Sequence, residues 1–163
     1  MGAVMNKIVT ILGARPQFIK AGAVSREIIN NKDTSNNLNE IIIHTGQHYD
    51  EKMSDIFFSE MHIPKPKYFL DINNKSHGAM TGQMIERIEN VLIKESPDWV
   101  LVYGDTNSTL AGAIAASKLN IKIAHIEAGL RSFNMKMPEE INRILTDRLS
   151  SILFCPTQTA INN

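Results

Sequence analysis

The sequence predicts an α/β protein built on a doubly wound parallel sheet of the Rossmann-like kind. Short, almost wholly apolar runs such as NKIVTILG, WVLVY and KIAHI alternate with amphipathic stretches of helical period. Strands buried on both faces and their crossover helices read in this way. Glycine, proline or a capping residue marks the handovers, and right-handed crossovers then place helices on both faces of one sheet.

The elements follow in order. Residues 6–13 form an apolar strand closed by Gly13, and Pro16 opens a helix to about residue 31, early enough that its missing N–H costs nothing. After a polar loop at 31–39, residues 40–45 read as a second strand and 50–61 as a helix. Two prolines in IPKPK forbid helix at 63–67, and a weak strand is expected at 68–71. A long helix spans 77–95, with Met80, Met84, Ile88, Val91 and Leu92 near one face. Pro97-Asp98 resets the chain into strand 99–103, followed by helix 108–118, strand 122–126, helix 139–149 and strand 151–155. The tail PTQTAINN is a loop and one started helical turn, which sets the expectation of an N-terminal piece of a longer protein. Residues 1–4, ahead of Met5, read as an expression scar or alternative start, so the domain is expected to run 5–163.

At 163 residues the chain suits one domain with a core of its own. It is 43% hydrophobic with no net charge, and it lacks the basic excess of a nucleic-acid binder. No segment has the length and apolarity of a membrane span, and no secretory pattern opens the sequence. Cys155 is the single cysteine, so no intrachain disulfide forms, which points to a reducing, cytoplasmic setting.

Residues able to carry chemistry gather at strand-to-helix handovers, which in a parallel sheet share one edge where ligands bind. Residues 13–20, GARPQFIK, stand where a dinucleotide-binding protein has its phosphate loop, yet Gly-x-Gly-x-x-Gly and the Walker lysine pattern are absent. Arg15 and Lys20 either grip a phosphate at the helix start or are solvated surface charges. His44 and His48, with Asp50, match no zinc spacing; they read as contacts to ligand or water, and no metal is expected. Asp105 and Thr106 are helix caps, phosphate ligands, or both. Glu127 follows an apolar strand directly and needs a partner; Arg131 or His125 is the candidate, and a plain buried Glu–Arg pair is the competing reading. Glu139 and Glu140 complement a helix dipole. Glu139–Arg143 and Arg143–Asp147 are i,i+4 pairs, so Asp147 and Arg148 read as a solvated charge ladder. Phe57, Phe58, Met80 and Met84 read as core.

Taken in order, GARPQFIK, HTGQHYD, SHGAMTGQM, PDWVLVYGDTNSTLAGAIAASKL, AHIEAGLRSF and MPEEINRILTDRLS resemble the non-hydrolysing UDP-N-acetylglucosamine 2-epimerases, over almost the whole chain. The resemblance implies the N-terminal half of a GT-B-like architecture, two Rossmann-like domains with the active site between them. The C-terminal domain, which in the family supplies most nucleotide contacts and a further catalytic histidine, is expected to lie outside this chain. Asp105, Glu127 and Glu139 match the family's catalytic carboxylates. Arg15, Lys20, His48, Thr106, His125, Arg131 and Arg143 fall in its substrate-binding motifs. A UDP-sugar partner, no cofactor, a homodimeric parent and a role in cell-surface polysaccharide precursor synthesis are implied with them. One departure bears on substrate: well-known bacterial members have Arg-Pro-Glu in the first loop, and this chain has Arg15-Pro16-Gln17. With HYDEKMSDIFF and MPEEINR, that form resembles branches acting on modified UDP-sugars such as diacetamido uronic acids or deoxy-sugar intermediates.

The C2 hydrogen of an N-acetylated pyranose is not acidic, so the family's route is elimination of UDP to a 2-acetamidoglucal and re-addition. That chemistry needs a carboxylate base, a proton donor on the opposite face and cations for the departing diphosphate. Clustered carboxylates raise the pKa of at least one of their number, which keeps such a donor available. The chain alone is expected to bind UDP-sugars weakly and turn over negligibly. Competing readings are a non-catalytic nucleotide-sugar-binding module, a GT-B glycosyltransferase and a hydrolysing epimerase.

Overall fold

A computed structural model describes residues 6–31, 38–46 and 63–163 and gathers its strands into one six-stranded sheet. The strands are β1 (Asn6–Leu12), β2 (Leu38–His44), β3 (Tyr68–Phe69), β4 (Trp99–Tyr103), β5 (Lys122–Ile126) and β6 (Ile152–Phe154). The helices are α1 (Arg15–Asn30), α2 (His77–Glu95), α3 (Asn107–Lys118), α4 (Pro138–Leu149) and α5 (Gln158–Asn162). Every strand pairing is parallel, in the order β3-β2-β1-β4-β5-β6. The order reverses between β1 and β4, and the crevice at the carboxyl ends of those two strands is the topological switch point.

Period-two alternation divides the core. Val9 and Ile11 of β1 and Val100 and Val102 of β4 face α2 and α3, packing on Met84, Ile88, Leu92, Ala111 and Ala115. Leu12, Leu101 and Tyr103 face the opposite side, with Phe18 and Ala21 of α1 and Ile42 of β2. Met84 is fully buried, as its helical phase predicts, and Met80 packs at the margin of the same cluster.

The βα alternation read from sequence is the observed one, with element ends shifted by a residue or two. The weak strand at 68–71 shrinks to Tyr68–Phe69, and the last strand to Ile152–Phe154. The started turn in the tail is α5, where the Thr157 side chain accepts from the Ala160 N–H at 3.1 Å. The expected helix at 50–61, with Phe57 and Phe58, lies outside the described residues. No described helix is long and apolar enough to cross a membrane.

Helix α4 is built inside out. Glu140, Asn142, Thr146 and Asp147 are its buried residues, while Ile141, Leu145 and Leu149 are exposed. Its polar face is therefore the one laid against the carboxyl edge of the sheet.

Candidate active site

Gly13 follows β1 at the switch point, where a Cβ would stand 2.1 Å from Ser108 Oγ and 2.4 Å from Thr45 Oγ1. Only glycine lets the strand pass so close to those two hydroxyls, which are themselves hydrogen-bonded at 2.7 Å. Gln17 sits one turn into α1 and is 2% exposed. Its Oε1 accepts from the Gly13 and Ala14 N–H groups at 2.7 and 2.9 Å. Its Nε2 donates to the Tyr103 carbonyl at 2.7 Å and lies 3.0 Å from the hydroxyls of Thr106 and Thr109. A residue noted in the sequence only as a family marker is thus the polar bridge between the β1–α1 and β4–α3 loops. Its place, three residues into a helix with an acceptor turned back to the start, is a capping-box position and the signal that was there to read.

Glu127 closes β5 with φ 69°, a left-handed backbone that a non-glycine residue adopts at a cost. Its carboxylate forms an ion pair with the Lys20 ammonium from α1, both side chains about one-third exposed. The partner expected from sequence was Arg131 or His125; the fold supplies Lys20 instead, because β5 and the first turns of α1 reach the same edge. The pair stands at the mouth of a cleft of about 580 Å³ that Leu153, Phe154, Cys155 and Ile161 also line.

Asp105 lies one strand away, just beyond β4. Its Oδ2 accepts from Arg143 Nη2 at 2.5 Å and Nε at 3.2 Å. Capping of α3 belongs to Thr106, whose Oγ1 accepts from the Thr109 N–H at 3.3 Å. Arg143 also donates through Nη1 to Glu140 at 2.8 Å, and Asn142 donates to the Asp105 carbonyl at 2.9 Å. Arg143 therefore pairs with Asp105 and Glu140, and the i,i+4 ladder of Arg143 with Glu139 and Asp147 is not among its pairings. Glu139 is exposed, whereas Glu140 is 1% exposed and accepts from the Ser132 and Phe133 N–H groups at 2.9 Å each. Those backbone donors, with the charge of Arg143, hold the Glu140 carboxyl below the usual range against the effect of burial.

Below the edge lies a second polar cluster. His125 is fully buried; its Nδ1 lies 2.7 Å from Asp147 Oδ1 and its Nε2 2.7 Å from the Gly104 carbonyl oxygen. Asp147 Oδ2 also accepts from Arg131 Nη1 at 2.6 Å and from the Gly129 N–H at 3.1 Å. Burial pushes the Asp147 carboxyl upward, but the hydrogen bonds and charges of His125 and Arg131 outweigh it and the net direction is down. Asp147 is thus a buried anchor, which corrects the reading of it as part of a solvated ladder. An i,i+4 pattern shows that two charges can meet on a helix, and says nothing of a histidine arriving from a strand.

His44 is also corrected. It ends β2 almost fully buried, its ring stacked between Phe18 and Phe69 at 5.1 and 5.6 Å, with Nδ1 accepting from the Gly46 N–H at 2.9 Å. Burial brings its pKa down to about 4. His48 lies outside the described residues. Of the other sequence candidates, Asp105, Thr106, Glu127, Lys20 and Arg143 meet at the edge, with Glu139 exposed on the first turn of α4 and Arg15 exposed at the start of α1. His125 and Arg131 converge on Asp147, one layer deeper. Among the described residues no three His, Cys, Asp or Glu side chains gather as metal ligands.

The carboxyl edge thus carries two ion pairs, Lys20–Glu127 beyond β5 and Asp105–Arg143 beyond β4. Residues 30–163 match the family described as UDP-N-acetylglucosamine 2-epimerase. The chain is 67% identical over 157 residues to the UDP-2,3-diacetamido-2,3-dideoxy-D-glucuronate 2-epimerase of Pseudomonas aeruginosa, covering 96% of this chain and 43% of that protein. It is 58% identical over 159 residues to a UDP-N-acetylglucosamine 2-epimerase of Methanococcus maripaludis, covering 98% and 42%. The crystal structure of the Methanocaldococcus jannaschii UDP-GlcNAc 2-epimerase in complex with UDP-GlcNAc and UDP superposes with a TM-score of 0.89 at 54% identity, covering 96% of this chain and 42% of that one. The Neisseria meningitidis enzyme bound to UDP-GlcNAc gives 0.86 at 38% identity, over 96% and 41%. The chain thus spans less than half the length of these relatives.

Proposed function

The chain belongs to the UDP-N-acetylglucosamine 2-epimerase family, and from that premise we propose that the protein is a non-hydrolysing UDP-sugar 2-epimerase in which this domain forms one wall of the active site. The observation that carries the reading is the placement of the Lys20–Glu127 and Asp105–Arg143 pairs on the carboxyl edge of the sheet, with Glu139 on the first turn of α4. In the elimination half-reaction a carboxylate takes the C2 proton, the C1–O bond breaks, and its electron pair leaves on the diphosphate. In the return half-reaction a carboxylic acid protonates C2 from the opposite face and a diphosphate oxygen attacks C1. Asp105, Glu127 and Glu139 are the carboxylates for these steps. Arg15, Lys20 and Arg143 balance the charge of the departing diphosphate, Thr106 offers a hydroxyl near it, and His48 belongs to the substrate-binding set. His125 and Arg131 act one layer deeper, through Gly104 and Asp147.

The bound UDP-sugars of the solved relatives support a UDP-sugar partner for this protein. The 67% identity to the diacetamido-glucuronate epimerase favours a second substrate reading, a UDP-linked diacetamido uronic acid. A homodimeric parent working in the cytoplasm on polysaccharide precursors completes the proposal. The relatives extend well beyond the length of this chain, so the 163-residue piece alone is expected to bind UDP-sugar weakly and turn it over negligibly.

The test uses the full-length protein in deuterated solvent with UDP-N-acetylglucosamine and with the diacetamido uronate in parallel. Incorporation of deuterium at C2 with epimer formation supports the reading, and the faster substrate decides between the two. Release of free UDP in step with product would point to hydrolysis, and C2 exchange that survives in the amide variants of all three carboxylates would overturn their assignment.

A further inference from the structure

We propose that Gln17 is a positioning residue of this active site: it clamps the β1–α1 turn that leads into Arg15 to the β4–α3 loop that carries Asp105, and so sets the spacing between a phosphate-side cation and a proton-transfer carboxylate. The inference rests on the epimerase reading for its catalytic consequence, and on geometry alone for the clamp.

The switch point is where a parallel sheet is least tied together. Strands β1 and β4 pair through Ile8, Val9 and Thr10 against Trp99, Val100 and Leu101, and no ladder pairing continues past Thr10 and Leu101. The strand ends beyond them have no shared ladder, and a crevice widens there. Gln17 spans this gap. One atom, Oε1, satisfies two N–H groups at the end of β1, and the other, Nε2, reaches the last carbonyl of β4 and two hydroxyls at the start of α3. The amide matches the site in both directions, with an acceptor toward α1 and a donor toward Tyr103. The same Tyr103 carbonyl accepts from the Thr109 hydroxyl at 2.6 Å, so the clamp is tied into the first turn of α3. Being 2% exposed, Gln17 has little surface to offer a substrate, so its influence on the site passes through the two segments it joins.

Methionine has the length of glutamine and none of its hydrogen bonds. Glutamate keeps the acceptor for Gly13 and Ala14 but sets a carboxylate oxygen against the Tyr103 carbonyl. Amide hydrogen exchange on the 163-residue chain reads the clamp directly. In Gln17→Met the Gly13 and Ala14 amides should exchange roughly ten-fold faster or more, while those in the centre of β4 keep their protection. In the full-length protein Gln17→Met should lower kcat for epimerisation by roughly ten- to a hundred-fold with KM for the UDP-sugar nearly unchanged, and Gln17→Glu should restore part of that loss. Unchanged exchange at Gly13 and Ala14 in Gln17→Met overturns the clamp. Where Gln17→Met unfolds outright, a Gln17→Glu protein with wild-type kcat overturns the positioning role, because it has lost the bond to the Tyr103 carbonyl. Faster exchange with unaltered kcat overturns the catalytic role. A wild-type protein with no epimerase activity sinks the functional reading while leaving the exchange result to stand by itself.

Discussion

Lys20 and Glu127 are joined across 107 residues of sequence by an ion pair at the carboxyl edge of the sheet, and Glu127 holds its side of that pair on a left-handed backbone. A residue placed at such a cost, in a cleft, facing a cation, has the marks of a site arranged for chemistry rather than for stability.

Replacing Glu127 by glutamine therefore separates the two. The pair is about one-third exposed and so worth no more than about 1 kcal/mol to folding. Urea unfolding of the Gln variant should stay within that margin of wild type. Solvent exchange of the C2 proton in the full-length variant should fall by about 10²–10⁴-fold. A variant that unfolds readily, or exchanges at the wild-type rate, would count against this view of Glu127.

Gly13→Ala tests the closeness of the switch point. The added Cβ lands 2.1 Å from Ser108 Oγ, a buried side chain hydrogen-bonded to Thr45. The expected cost is about 2–3 kcal/mol in chemical denaturation, within the range for overpacking a buried position. Gly13→Ala with Ser108→Ala recovers part of it.

Asp147 anchors His125, Arg131 and the Gly129 N–H together. Asp147→Ala strands a buried imidazole and a partly buried guanidinium, and should cost about 3 kcal/mol. Thermal or urea unfolding measures it. A solvated ladder residue, as the sequence pattern suggests, would cost almost nothing.

Glu95 governs acid sensitivity at the opposite end of the sheet. The hydrogen bond from Lys67 first, then that from Tyr68, bring its pKa down to about 2. A depressed carboxyl stabilises the fold above its unfolded value, near 4.3, and that contribution fades as pH falls through the interval toward 2. Lys67 is 55% exposed, so solvent screening reduces the contribution to roughly 1 kcal/mol. Glu95→Gln should flatten the pH dependence of unfolding between pH 4.5 and 2, and an unchanged slope would refute the linkage.

The sheet was legible because its signal is local: apolar runs, capping residues and prolines state strands and helices without reference to anything distant. The edge was legible for the same reason, since handovers are visible in the chain. Pairing was not. Lys20 meets Glu127, Arg143 meets Asp105, and His125 meets Asp147 only after crossovers bring them together. Glu139 and Glu140 are chemically alike and adjacent, and helical phase alone sends one to solvent and the other under Ser132 and Phe133. Helix α4 also defeats hydrophobic patterning, because its buried positions are the polar ones.

That inversion has a further consequence. A helix held by apolar contacts loosens with its core, at the temperature or denaturant where the whole domain melts. Helix α4 is fastened instead by carboxylates, and Glu140 and Asp147 both titrate below their usual range. Their contribution is present above the ordinary carboxyl pKa and is withdrawn as acid protonates them. Acid therefore draws first on the contacts that fasten this helix, those of Glu140 with Ser132, Phe133 and Arg143 and those of Asp147 with His125 and Arg131, rather than on an apolar face.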